Sequence, residues 1–287
     1  MTFTTRFAPS PTGPLHLGHA YSALLAHDMA RAAGGRFLLR IEDIDSTRCR
    51  PHWEAQIYDD LAWLGIAWDA PPQRQSDHLT AYRAALDGLW RRGLIYPCTC
   101  TRRDIGAAAS APQEGAAPAY GPDGLIYPGT CRAKPRPPVM PDGTVLRLNM
   151  AAALKVIGAP DTRLNFRETG TGTTRAISID MQKLTSTVGD IVLSRKDFPG
   201  SYHLSVVLDD AAQNVTHVIR GTDLFDATQI HVVLQKLFGL ATPTYHHHRL
   251  IRDAAGKRLA KRDDARAIAK YRADGATPQD IREKVGL

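Results

Sequence analysis

Ala8-Pro9-Ser10-Pro11-Thr12-Gly13-Pro14-Leu15-His16-Leu17-Gly18-His19-Ala20, residues 8–20, reads as the end of a strand, a stiff turn and the start of a helix. Pro9, Pro11 and Pro14 fix φ and remove three backbone donors, so no helix begins before Pro14. Leu15, Ala20 and the run Leu24-Leu25-Ala26 give that helix a buried side. His16 and His19, spaced i, i+3, share one face at the end where backbone N–H groups are unpaired and the dipole is positive, a place suited to a phosphate. Gly18 between them lets a flat base approach the backbone. The pattern implies nucleotide binding. For an isolated His-x-x-His the alternative is a proline-rich turn capping an ordinary helix, with both histidines solvated.

The next segment supports the first reading. Gly35 to Asp45 is an apolar run, Phe37-Leu38-Leu39 within it, that ends in Glu42, Asp43 and Asp45, as a buried parallel strand does when it delivers polar groups at its carboxyl end. Strand, turn with helix, and strand make a βαβ start, and ligands of such sheets bind outside the carboxyl ends of the strands. Arg6, Ser10, His16, His19 and Glu42 are therefore expected to converge on one crevice. Asp43 and Asp45 read as a capping cluster, with Asp45 or Ser46 as N-cap of a helix that begins near Pro51.

At 287 residues the chain can hold one large domain or two moderate ones, and 43% hydrophobic with 23% charged residues excludes disorder. The N-terminus has no charged region followed by an apolar one, and no stretch approaches the roughly 20 apolar residues that span a bilayer. A cytoplasmic protein with no membrane partner is expected, and no obligate protein partner is evident. Net charge is +7, and residues 249–287 carry 11 Lys or Arg against 6 Asp or Glu, leaving +5 there. Such a surplus suits a polyanion such as nucleic acid, or merely a solubilising surface.

Three of the four cysteines, Cys98, Cys100 and Cys131, flank a stretch rich in Ala, Gly and Pro. In a cytoplasmic chain such a set binds metal more readily than it forms disulfides, and zinc takes four ligands. No histidine lies between His78 and His203, so the fourth donor is one of Asp104, Glu114, Tyr120, Asp123 and Tyr127. Three inert thiols are the competing reading. Prolines from Lys134 to Gly158 and the strand-like Val145-Leu146-Arg147-Leu148 read as a subdomain inserted into the sheet. Asp190 to Arg195 and Tyr202 to Asp210, joined by a turn, read as a hairpin feeding a helix. Val215 to Gly221 reads as a last buried strand with Arg220 at its carboxyl end, where a guanidinium forks onto a carboxylate or caps a neighbour. Gly256 to Arg262 is a basic loop before a helix, by itself a solvated face.

Arg6-Phe7-Ala8-Pro9-Ser10 with His16-Leu17-Gly18-His19 resembles the first signature of class I aminoacyl-tRNA synthetases, in the form of the glutamyl and glutaminyl branch, and Arg40-Ile41-Glu42-Asp43-Ile44-Asp45 is similar to the same branch. The resemblance implies a Rossmann-like α/β catalytic domain with a zinc-bearing insertion and a short helical C-terminal tail. Its divisions would be 1–94 for the first catalytic half, 95–186 for the insertion, 187–240 for the second half and 241–287 for the C-terminal loop and helices. It further implies that Glu42 holds the α-amino group of glutamate, that Arg6, Ser10, Tyr202 and Arg220 contact the amino acid, and that Pro9, Gly18, His16 and His19 contact ATP. Tyr127, four residues before Cys131, is implied as the fourth ligand of one structural zinc ion. Arg258-Leu259-Ala260-Lys261-Arg262 stands in register with the second signature, Lys-Met-Ser-Lys-Ser, with Arg258 in place of its first Lys. Lys261 then takes the position that stabilises the α-phosphate, and His16, His19 and Lys261 form the catalytic set with Mg2+ on the phosphates.

Full-length glutamyl-tRNA synthetases continue into an anticodon-binding region, and the 25 residues after Arg262 are too few for one, since domains rarely fall below about 50 residues. The chain thus resembles the truncated paralogues that attach glutamate to the queuosine base in the anticodon stem-loop of tRNA(Asp). Two alternatives stay open: a glutamyl-tRNA synthetase loading the 3′ end, and a catalytically inactive tRNA-binding module.

Overall fold

The computed structural model describes residues 2–109, 119–158, 163–170, 172–252 and 266–287. Strand β1 (Thr4–Phe7) runs through the proline turn into α1 (Leu17–Ala32), and β2 (Arg36–Ile41) returns parallel to β1, with Thr4 opposite Arg36. Gly35 permits that return, because a Cβ there would lie 2.2 Å from the Phe3 carbonyl oxygen. Helix α2 (Pro51–Trp63), β3 (Gln73–Arg74), parallel to β2, and α3 (Leu79–Arg91) complete the first half. The N-cap of α2 is Arg50, not Asp45 or Ser46, and its side chain makes no cap bond. Asp45 instead closes its own turn, accepting from Thr47 Oγ1 and Arg48 Nε at 2.6 Å each. Pro51 starts the helix with its φ already fixed.

The chain continues through β4 (Ile95–Cys98), α4 (Arg102–Ala109), the hairpin β5 (Tyr120–Gly121) and β6 (Gly124–Leu125), and β7 (Val145–Leu148). After these come α5 (Met150–Ile157), β8 (Leu164–Glu168), β9 (Arg175–Ile179), α6 (Leu184–Thr187) and β10 (Val192–Ser194). Antiparallel strands β4 and β10 flank β7.

Helix α7 (Tyr202–Ala212), β11 (His217–Gly221), α8 (Thr228–Phe238) and β12 (Thr244–His248) form the second half, and α9 (Ile268–Ala273) and α10 (Pro278–Val285) close the chain. Tyr202 to Asp210 is thus helix, where the sequence suggests the second arm of a hairpin. Its N-terminus is set by Ser201, whose hydroxyl accepts from Leu204 N–H. Nor is β11 the last strand, since β12 pairs with it in parallel, Arg220 opposite His247.

Strand β8 joins β12, and β9 lies antiparallel to β8. Thr216 N–H donates to Thr4 O at 2.9 Å and Thr4 N–H to Thr216 Oγ1 at 2.9 Å, so β11 sits beside β1. The strands therefore run β3-β2-β1-β11-β12-β8-β9 across the molecule. Drawing the insertion as 95–186 does not follow this sheet pairing: residues 164–179 extend the central sheet, whereas β10, beyond 186, pairs with β7. Strand order turns at the junction of β1 and β11, where a doubly wound sheet opens a ligand crevice.

Two apolar bodies pack on this frame. One gathers α3, β7, α5, α7 and α8 around Tyr82, Leu148, Leu193 and Ile230. The other gathers α1, β2 and α2 around Leu24, Phe37 and Ile57, and takes in Ile268, Ile281 and Val285 of the last two helices. Each of those three is fully buried, a gain of about 1.5–3 kcal/mol apiece, and Arg282 clamps Asp28 of α1 at 2.7 and 2.9 Å. Among the described residues no helix is long and apolar enough to cross a membrane.

Candidate active site

Arg6, Pro9, Ser10, His16, Gly18, His19, Glu42, Tyr202 and Arg220 all line one crevice of about 440 Å³ at the junction of β1 and β11. These are all the amino-acid and nucleotide residues expected from the sequence, except Arg258 and Lys261, which lie outside the described residues. Before them in the chain, Ile251 lines the crevice. After them, Ala267 is bridged to His16, and Ile268 N–H donates to Leu15 O at 2.9 Å.

His16 is the N-cap of α1 rather than a residue of its first turn. Its Nδ1 accepts from Gly18 N–H at 3.1 Å, and His19 Nδ1 accepts from His16 N–H at 3.2 Å, a capping box made of two imidazoles stacked 3.8 Å apart. An accepting Nδ1 carries no proton, so each ring holds its proton on Nε2 as a donor. Gly18 serves the ring as well as any ligand: a Cβ there would stand 3.0 Å from His16 Cε1.

Behind Arg6 and Glu42 lies a buried ionic cluster that the sequence reading misses. Arg6 Nε donates to Asp210 Oδ1 at 2.8 Å, and Arg40, with no exposed surface, donates to Asp210 at 2.7 Å, Gln213 at 2.9 Å and Glu42 Oε1 at 3.3 Å. Asp209, the adjacent residue of α7, accepts from Gln75 at 2.9 Å and Tyr82 at 2.8 Å and pairs with His78 at 3.0 Å. Burial raises the Glu42 carboxyl, opposed by Arg40 and Arg6; at Asp210 the same two guanidinium groups overcome burial and hold the carboxyl below its usual range. The one signal in the sequence was Arg40, a charge inside an otherwise apolar strand. Arg6 keeps its two terminal nitrogens without protein partners among the described residues.

Arg220 is held in another way. Its Nε donates to His247 Nε2 at 3.1 Å, one terminal nitrogen to His231 Nδ1 at 3.0 Å, and the other to Thr228 Oγ1 at 2.8 Å and Leu224 O at 3.2 Å. The ring of Tyr245 lies below it at 5.1 Å. Every one of these acceptors is uncharged, and among the described residues no carboxylate pairs with Arg220. Ser22 and His248, also unforeseen, face the crevice as a pair with Oγ and Nε2 2.5 Å apart.

The sulfurs of Cys98, Cys100 and Cys131 lie within 4.8 Å of one another. Tyr127 Oη stands 3.4 Å from the sulfurs of both Cys98 and Cys100 and accepts from Cys131 N–H at 2.9 Å. Although burial opposes it, hydrogen bonds from Tyr127 and the Thr99 backbone draw the Cys131 thiol down to about 6. Three thiols with one phenol oxygen make a compact four-donor set that could hold a metal. Arg132 anchors this module through a 2.7 Å bond to Asp190, which also accepts from Tyr96.

A family model described as tRNA synthetases class I (E and Q), catalytic domain, matches residues 2–120 and 161–287. The chain is 64% identical over 285 residues to a glutamyl-Q tRNA(Asp) synthetase of Rhodobacter capsulatus, covering 99% of both chains. It is 40% identical to one of Symbiobacterium thermophilum, covering 96% of this chain and 83% of that one. A crystal structure of a glutamate tRNA ligase from Elizabethkingia meningosepticum in complex with its amino acid superposes with a TM-score of 0.75 at 27% identity, covering all of this chain and 61% of that one.

Proposed function

The chain belongs to the class I tRNA synthetases (E and Q), and we propose that it activates L-glutamate with ATP and transfers the glutamyl group to the queuosine base in the anticodon stem-loop of tRNA(Asp). Relatives that match 99% and 96% of its length are named glutamyl-Q tRNA(Asp) synthetase, which supports this reading. The single observation that carries the chemistry is the crevice itself. It combines a carboxylate, Glu42, for the ammonium of glutamate, guanidinium donors for its side-chain carboxylate, and a helix N-terminus with two Nε2–H donors for phosphate.

In the first step the α-carboxylate oxygen of glutamate attacks the α-phosphorus of ATP in line, and the bond to the bridging oxygen breaks, releasing pyrophosphate. The nucleophile is already an anion, so no general base is required. His16 and His19 donate to phosphate oxygens, Lys261 stabilises the charge that develops on the α-phosphate, and Mg2+ accompanies the phosphates. Arg258 assists with ATP, as do Pro9 and Gly18 at the backbone. Ser10 and Tyr202 complete the amino-acid pocket. In the second step a nucleophilic group of the base attacks the acyl carbon and AMP leaves.

Cys98, Cys100, Tyr127 and Cys131 hold one structural Zn2+ in this reading, remote in role from the reaction. ATP–pyrophosphate exchange tests the first step: exchange that requires glutamate is expected, and its absence would leave a tRNA-binding module without catalysis.

A further inference from the structure

The bonds around Arg220 set the tautomers of the histidines along a line of side chains. Arginine only donates, so His247 Nε2 is an acceptor and the ring carries its proton on Nδ1, which donates to Glu168 Oε2 at 2.5 Å. His231 accepts at Nδ1, so its Nε2–H donates to His203 Nδ1 at 3.1 Å, and His203 Nε2–H donates to Asp123 Oδ1 at 3.2 Å. The line therefore has one consistent direction on each side of Arg220, ending on Glu168 of β8 and on Asp123 in the β5–β6 turn of the insertion. Gly170 supports the first end: its N–H donates to Glu168 at 2.6 Å, and a Cβ there would meet the His247 carbonyl oxygen at 2.1 Å.

We propose that His231 and His247 are positioning residues that hold the Arg220 guanidinium for the side-chain carboxylate of the substrate, and that the carboxylates of Asp123 and Glu168 fix their tautomers from the two ends. The inference rests on Arg220 contacting glutamate as given above. Its physical content is charge. A carboxylate in place of either imidazole would orient Arg220 equally well but neutralise it. Two neutral acceptors orient it and leave its positive charge for the ligand. Burial and the neighbouring guanidinium keep both rings neutral, His247 held down to about 4 and His231 well below its usual value.

Steady-state ATP–pyrophosphate exchange with the full chain separates the readings. His231→Leu removes the acceptor and should raise the glutamate KM about tenfold, equivalent to about 1.4 kcal/mol, with the ATP KM unchanged. His231→Asn offers its amide oxygen where Nδ1 stood and should bring the glutamate KM back to within about threefold of the parent. Asp123→Ala, at an exposed turn where folding is not at stake, should raise it about twofold. Overturning results are an equally impaired Asn variant, a parallel rise in both KM values, or an Asp123→Ala variant identical to the parent. Arg220→Ala is the reference: if it leaves the glutamate KM unchanged, the assignment of Arg220 has failed, whereas a large effect there with none at His231 means that only the positioning role has failed.

Discussion

Arg40 in β2 and Arg220 in β11 are both buried guanidinium groups beside the crevice, one on each side of the β1–β11 junction, and their surroundings differ in charge. Arg40 meets Asp210, Glu42 and Asp209. Arg220 meets two imidazoles, a hydroxyl and a carbonyl. The first arrangement is closed at Arg40: carboxylates of the protein itself meet its guanidinium, and it fixes where Arg6 and Glu42 stand. The second is open, with four donors used for orientation and, among the described residues, no carboxylate paired with the charge. Arg40 and Arg220 thus differ in the charge of their partners and not in being buried, and the proposed role of Arg220 in holding glutamate rests on that difference.

Removing the closed side should cost most. Arg40→Met takes one guanidinium from three buried carboxylates, leaving Asp210 paired with Arg6 alone, and loss of one partner of a buried ion pair costs about 3 to 5 kcal/mol. Denaturant unfolding should show that loss; a change under about 1 kcal/mol would mean that the cluster does not support the wall.

A buried carboxylate that bonds no guanidinium among the described residues offers a control. Asp60 of α2 is 1% exposed, one of its oxygens has no partner, and burial with the neighbouring Asp59 pushes its carboxyl up to about 6. Its pKa is raised on folding, so its contribution to stability is whole below pH 4 and is lost as pH rises through about 6. Asp60→Asn should therefore add up to about 3 kcal/mol above pH 7 and little near pH 4. An equal effect at both pH values would show that packing, not ionisation, dominates there.

On the open side the expected loss falls on binding. Arg220→Ala should raise the glutamate KM by about one to two decades, the equivalent of about 1.5–3 kcal/mol for a charged hydrogen bond, with the ATP KM unchanged. Equal losses for both substrates would class Arg220 with Arg40. Glutamine should be a poor substrate, since its amide offers no charge to Arg220. The smallest effect on catalysis is expected from the thiol cluster. Cys131→Ala should lower zinc from one ion per chain and destabilise the insertion while changing the glutamate KM by less than about threefold, and a parent protein purified without chelator that holds no zinc would remove the metal from the account.

The lining of the crevice was legible in the sequence because its parts are local. A proline turn, a His-x-x-His and a strand ending in carboxylates or Arg220 each announce themselves within a dozen residues, and the fold gathers them at one crevice. The closed side was not. Asp209 and Asp210 lie on α7, whose residues His203 to Val207 are buried without a break, so it lacks the apolar stripe of a surface helix and reads as a strand. The side-chain acceptors of Arg220 come from α8 and β12, and His247 falls in a run of three histidines that carries no periodic signal. The insertion boundary also escaped, because β8 and β9 reach the central sheet through pairing with β12, some 75 residues further on.

Where the glutamyl group goes tests the account most directly. Labelled glutamate, ATP and the protein should be incubated with tRNA(Asp) in three forms: carrying queuosine, carrying guanosine in its place, and carrying queuosine but lacking the terminal adenosine. Label on the first and third, with none on the second, is the result expected from the proposed function, in which an unpaired anticodon base is the acceptor. Label on the guanosine form, or its loss with the terminal adenosine, would contradict the account and return the chain to glutamyl-tRNA synthesis at the 3′ end.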